Sequence, residues 1–242
     1  MKLENKALIM FSGGQDSATC PAWALEKYYH GETVGFNYDQ RHSVEMECRK
    51  TVLGKVRLTF PEWNKKLFDD HVIDLSSLGK ISDTSLTRDM EITLNEEGLP
   101  STFVPGRNLI FINFTAAIAY RRGINNLIGG MCESDFSGYP DCRKETLDAQ
   151  MKAISLGLDK EFILETPLMY LSKSDAWKKA EELGGKRLID IIIEDSHSCY
   201  KGYRNNRYEW GYGCNSCPAC DLRAKGWLSY TCLLYTSPSP RD

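Results

Sequence analysis

The stretch that most constrains this chain is Phe11-Ser12-Gly13-Gly14-Gln15-Asp16-Ser17. It follows a short apolar run, Ala7 to Met10, and precedes a segment from Ala18 to Tyr29 that reads as a helix. Strand, tight glycine turn and helix together form a phosphate-binding arrangement. The glycines let the backbone approach an anion, and the free N–H groups of the first helical turn point at it. Ser12 and Ser17 add hydroxyl donors. Asp16 is the informative oddity, because a carboxylate beside phosphates calls for a cation such as magnesium between them. The loop has neither the Gly-Lys-Ser/Thr of a Walker loop nor the third glycine of the dinucleotide fingerprint.

The rest of the chain continues the alternation. Thr33 to Tyr38 reads as a second strand, ending in the polar cluster Asp39-Gln40-Arg41-His42, and a helix runs from Ser43 to Leu58. A third strand lies within Asp70 to Leu75. Residues 76–104 are polar and turn-rich, the length of a functional loop or lid. Asn108 to Tyr120 suits a buried helix, Asn126 to Met131 a fourth strand, and Lys144 to Leu156 an amphipathic helix. Phe162 to Glu165 is a further short strand, and another helix starts near Ser172. This order predicts an α/β fold: an open parallel sheet with helices on both faces, in a single domain over residues 1–230. Such sheets bind ligands at the carboxyl ends of their strands, where these polar clusters fall.

Thirty basic residues stand against thirty-three acidic ones, a net charge of −3. That balance offers no general attraction to nucleic acid or an anionic membrane. No apolar run nears the ~20 residues needed to span a bilayer, and the first residues do not resemble a signal peptide. The chain reads as soluble and cytoplasmic.

Of nine cysteines, three fall at 214, 217 and 220, a cluster that points to metal in a reducing compartment. Tetrahedral zinc needs four ligands; Cys199 is the best fourth and His197 the alternative. An iron–sulfur cluster uses similar spacing. The segment 197–222 therefore reads as a structural zinc cross-link. Residues 231–242, unpatterned and with two Ser-Pro pairs, read as a disordered or artefactual tail, and Cys232 is left out of the metal set.

Ser12 to Ser17 resembles the PP-loop of ATP-cleaving, adenylate-forming enzymes. Tyr38 to His42, Phe103 to Asn108, Asp135 to Arg143, Thr166 to Leu168, Ser172-Lys173 and the four cysteines extend the likeness across nearly the whole chain. Together they resemble one PP-loop branch, the 7-cyano-7-deazaguanine synthases of queuosine biosynthesis. The resemblance implies a Rossmann-like PP-loop fold, a homodimer without a nucleic-acid partner, and use of ATP, Mg²⁺ and Zn²⁺. The implied activity is an ATP-dependent carbon–nitrogen ligase that converts 7-carboxy-7-deazaguanine and ammonia to a nitrile through an amide. ATP would then lie on Phe11, Ser12, Gly13, Gly14, Gln15, Asp16, Ser17, Ala18 and Arg107. Asp16, Ser17, Lys173 and Arg143 would act in catalysis, and Cys199, Cys214, Cys217 and Cys220 would hold zinc. Gln40, Arg41, His42, Asp135, Ser137, Gly138, Tyr139, Asp141 and Arg143 would meet the substrate.

Plainer roles stand beside these. Arg107 and Arg143 match a carboxylate or phosphate bidentately, or sit at the surface. Asp141 reads a guanine-like edge or shapes the turn after Pro140; Tyr139 stacks on a base or covers the loop. Lys173 contacts phosphate or merely starts a helix, His42 shuttles a proton or caps one, and Cys142 is a packed small residue. Two other functions compete: a PP-loop relative that stops at the amide or acts on another carboxylate or a tRNA base, and an ATP-binding zinc module for a nucleic-acid or protein partner. The charge balance argues against the second, despite a local patch at Lys201, Arg204 and Arg207.

Overall fold

Alternate residues of the first strand face two different cores. Leu8 and Met10 pack with Val34, Phe36, Ile112 and Leu127, whereas Ala7 and Ile9 pack with Cys20, Ala24 and Leu168. A strand buried on both faces is a central strand of a parallel sheet. The protein, a computed structural model, is described over residues 5–41, 43–96, 98–133 and 139–236, with side chains through Cys232.

The chain runs β1 (Lys6–Met10), α1 (Gln15–Lys27), β2 (His30–Asn37), α2 (Val44–Thr59), α3 (Pro61–Asn64), β3 (Leu67–Asp74) and α4 (Ser76–Ile81). It continues with α5 (Arg107–Arg122), β4 (Asn126–Ile128), a 3₁₀ turn at Pro140–Cys142, α6 (Lys144–Gly157), β5 (Ile163–Glu165) and α7 (Lys173–Asp195). A small hairpin, β6 (Arg207–Tyr208) and β7 (Gly211–Tyr212), leads to α8 (Pro218–Thr236). The five main strands are parallel in the order β3-β2-β1-β4-β5. From β1 the chain moves outward to β3, then returns to the other side of β1 for β4 and β5. The carboxyl end of β1 is thus the switch point where a crevice opens, and Phe11–Ser17 lies in it.

Helices α5 and α6 cover one face; α1, α2 and α7 cover the other. On the second face Trp177, Leu188 and Ile192 of α7 are fully buried, each contributing roughly 1.5–3 kcal/mol of transfer free energy. Helix α8 lies along α7, with Trp227 edge-on to Trp177 at 5.0 Å and Tyr230 buried beside them. Helix α7 is kinked at Gly185, where φ is +61°.

The expected elements are present, with shifted ends. Helix α1 starts at Gln15 rather than Ala18, so half of the glycine loop is already its first turn. Strand β4 stops at Ile128 and β3 starts three residues early, at Leu67. The segment after α4 is tied down to the core: Leu86 and Val104 join it, buried Thr84 bonds buried Thr87, and buried Ser85 bonds Ser101. The hairpin and α8 were not anticipated, and α8 reaches Thr236, inside the stretch set apart as a tail.

A buried arginine seats α2 on the sheet. Arg49 Nε donates to the Phe11 carbonyl at 2.7 Å, Nη1 donates to Asp70 Oδ2 at 2.7 Å, and Nη2 completes a fork on the other Asp70 oxygen. Gly35 makes room for it, since a Cβ there would lie 2.8 Å from Arg49 Cζ. Arg49 is fully buried and Asp70 keeps 30% of its side chain exposed, so the full cost of breaking a buried pair is reduced by solvent. Arg49→Ala is expected to cost about 2 kcal/mol, seen as a lower urea midpoint at unchanged slope. An unmoved midpoint would show that the fork holds nothing in place.

Candidate active site

The loop after β1 is built on its own hydrogen bonds. Gly13 N–H donates to Ser17 Oγ at 3.2 Å, Gly14 N–H donates to Ser12 Oγ at 3.3 Å, and the two hydroxyls lie 3.0 Å apart. Gly13 has φ +101°, and a Cβ on it would lie 2.5 Å from the Glu45 carbonyl oxygen and 2.8 Å from Arg49 N. Only glycine lets α2 come this close. Gly14 is the N-cap of α1 without a side-chain cap of its own; Ser198 Oγ takes the Gln15 N–H at 3.2 Å, and Asp16 and Ser17 are the next first-turn residues that line the cavity.

A cavity of about 310 Å³ opens over this loop. Its floor is Ser12, Gly14, Gln15, Asp16 and Ser17, and its walls include Tyr38, Gln40, Glu45, Arg107, Tyr139, Lys173 and Ser198. Lys173 Nζ donates to Asp16 Oδ2 at 2.5 Å, while Asp16 Oδ1 is buried without a hydrogen-bond partner among the described residues. The Arg107 guanidinium lies between two rings, 5.8 Å from the centre of Tyr38 and 5.7 Å from that of Tyr139. Tyr139 is fixed by a 2.6 Å bond between its hydroxyl and Thr102.

The expected site residues divide by place. Phe11, Ser12, Gly14, Gln15, Asp16, Ser17, Gln40, Arg107, Tyr139 and Lys173 line the cavity. Gly13 and Ala18 support the loop from behind, and Ala18 N–H donates to Gly14 O at 2.9 Å. Asp141 is buried behind the wall, where Oδ2 accepts the Asn108 N–H at 2.9 Å and so caps α5. Arg41 is drawn away to Asp89, and Arg143 is exposed at the N-cap of α6. His42, Asp135, Ser137 and Gly138 lie outside the described residues.

The four cysteines meet. The sulfurs of Cys199, Cys214, Cys217 and Cys220 all lie within 4.8 Å of one another, with Cys214 and Cys220 at 3.9 Å. Four thiolates around zinc at about 2.3 Å sit about 3.8 Å apart, so the set has the size of a tetrahedral site. A second group, Glu32, Asp69 and His71, lies on the neighbouring strands β2 and β3. There Arg122 already pairs with Glu32 and Asp69, so a cation occupies the place.

Residues 6–231 match the family described as Queuosine biosynthesis protein QueC. The chain belongs to the QueC family. A protein of Burkholderia thailandensis named 7-cyano-7-deazaguanine synthase is 58% identical over 224 residues, covering 93% of this chain and 92% of its relative. A Burkholderia mallei protein of the same name matches to the same extent. Among solved structures, a 4-thiouridine synthetase bound to RNA and ATP superposes with a TM-score of 0.52 at 17% identity. The likeness covers 94% of this chain and 53% of that one, and it shows a shared PP-loop-type fold.

Three features of this QueC-family chain escaped sequence reasoning: Glu45, Ser198 and buried Arg223. Glu45 was signalled only by its place one turn after the Gln40-Arg41-His42 cluster. Its Oε1 lies 3.3 Å from where a Gly14 Cβ would be, at the edge of the loop. Burial raises its carboxyl above the usual range, against the opposing pull of a Ser12 hydrogen bond and Arg107. The folded state therefore holds this proton more tightly than the unfolded chain, and stability falls as pH rises above the unfolded value of about 4.3. Glu45→Gln is accordingly expected to raise the melting temperature at pH 7, with the gain shrinking toward pH 4. A lower melting temperature at pH 7 would contradict this placement of the carboxylate.

Proposed function

We propose that this protein is an ATP-dependent carbon–nitrogen ligase that converts 7-carboxy-7-deazaguanine and ammonia to 7-cyano-7-deazaguanine. The observation that carries the reading is near-full-length similarity to proteins named for that product, joined to a PP-loop at the switch point of the sheet. A carboxylate is inert to ammonia because oxide is a poor leaving group. Attack of a carboxylate oxygen on the ATP α-phosphorus expels pyrophosphate and forms a mixed anhydride. Ammonia adds to the carbonyl carbon and AMP departs with the C–O electron pair and one proton released, leaving the amide. Activation of the amide oxygen by a second ATP, followed by loss of two N–H protons and of AMP, gives the nitrile.

The residues fit these demands. First-turn N–H groups of α1 and the hydroxyls of Ser12 and Ser17 receive charge developing on departing pyrophosphate, and Lys173 brings a cation to the same edge. Arg107 lines the cavity, oriented by two tyrosines, and pairs with the substrate carboxylate or the α-phosphate. Tyr139 offers a fixed ring to the planar base. Asp16 is the residue to hold magnesium, since its buried Oδ1 lacks a partner; the ion would neutralise phosphate charge when bound. Cys199, Cys214, Cys217 and Cys220 would hold zinc as a structural cross-link.

This reading places the enzyme in the cytoplasm as a homodimer without a nucleic-acid partner. The metal-type clustering of Cys199, Cys214, Cys217 and Cys220 supports the compartment, the family likeness supports the dimer, and the small net charge supports the last point. Among the described residues no helix is long and apolar enough to cross a membrane.

Mass spectrometry of a reaction with the deazaguanine acid, ammonium, ATP and magnesium tests the proposal. Nitrile is expected; accumulation of amide would move the protein to an amide-forming relative, and unchanged acid would reject both. In the same assay Asp16→Asn is expected to cut turnover at least ~100-fold while the circular dichroism spectrum is retained. Wild-type turnover would remove Asp16 from the mechanism.

A further inference from the structure

The segment between α7 and Cys199 touches both the nucleotide loop and the cysteine cluster. His197 N–H donates to the Gly13 carbonyl at 3.0 Å, and Ser198 Oγ accepts the Gln15 N–H at 3.2 Å. The next residue is the cluster ligand Cys199. From the other side comes Arg223, three residues beyond Cys220 on α8 and fully buried. Its Nε donates to Trp210 O at 2.8 Å, its Nη2 to Ile192 O at 2.9 Å, and its Nη1 to Ser198 Oγ at 3.4 Å. Burial pulls the Arg223 pKa down to about 10, with Asp16 acting in the opposite direction, so the side chain stays cationic at neutral pH.

Ser198 thus accepts two hydrogen bonds, one from a residue of the nucleotide loop and one from an arginine held on Trp210 and Ile192, three residues after the cluster residue Cys220. Gln15 N–H and the arginine have no lone pair to take the serine proton. The serine proton is therefore committed to neither bond, and Ser198 lines the cavity.

We infer that Ser198 is a positioning residue that couples the cysteine cluster to the nucleotide loop, so that zinc occupancy strengthens ATP binding and ATP retains zinc. Holding Cys199 on the metal fixes residues 197 and 198 against Gly13 and Gln15. Losing the metal frees that strut, and with it the carbonyl, hydroxyl and N–H groups that shape the loop. Coupling of two equilibria is reciprocal, so either ligand must report it. The inference rests on the reading of the loop as an ATP site and of the cysteines as a zinc site.

The test is transfer of zinc from the folded, zinc-loaded protein to a chromogenic chelator, with and without saturating Mg-ATP and with no deazaguanine acid present. ATP is expected to slow transfer in the wild type about three- to tenfold, the size of one hydrogen bond. Ser198→Ala, loaded with zinc to the same stoichiometry, is expected to lose that protection and to bind ATP about three- to tenfold more weakly by calorimetry. Ser198→Thr, which retains the hydroxyl, is expected to restore both. Equal transfer rates with and without ATP in the wild type, or full protection in Ser198→Ala, would overturn the coupling while leaving the ligase reading intact. A protein that binds no zinc or no ATP would instead overturn the reading on which the coupling rests.

Discussion

The peptide of Gly13 is the constraint on which the site depends. Its N–H is tied to Ser17, its carbonyl accepts from His197, and a Cβ on it would strike the backbone of α2 at Glu45 and Arg49. Three parts of the chain therefore meet at a residue with no side chain and a φ of +101°. Any one of them moving would move the N–H groups that face the cavity. Arg49 matters for the same reason: its Nε donates to the Phe11 carbonyl at the start of the loop while its fork on Asp70 ties α2 to β3.

Charge at the site is set out for a ligand rather than for the empty protein. Asp16 carries one paired and one unpaired oxygen, Glu45 is held against its tendency to ionise, and Arg107 rests on two tyrosine faces. On the proposed reading, phosphates, a cation and a planar acid would answer these groups. Sites that violate local rules in this way are where function usually resides. The remaining core obeys them, with β1 alternating between two apolar faces.

What could be read from the sequence was local. A strand of period two, a glycine turn, a helix start and a cysteine spacing each lie within about ten residues, and the parallel sheet and cysteine cluster follow from them. What escaped involves distant partners. Ser198 meets Gln15 across 183 positions, Arg41 is claimed by Asp89 across 48, and Asp141 caps α5 across 33. No local pattern marks such pairs. Helix α8 was hidden differently: its apolar residues are spread around the helix rather than along one stripe, and its start lies within the cysteine motif. Tertiary packing on Trp177 makes it a helix.

The central claim is that the Gly13 loop presents ATP for attack at its α-phosphorus. Phosphorus NMR of ATP turnover in the presence of the deazaguanine acid and ammonium tests this directly. AMP and pyrophosphate should accumulate together, two of each per nitrile formed. Formation of ADP and phosphate would contradict it, because the loop would then be gripping the nucleotide for attack at the terminal phosphorus.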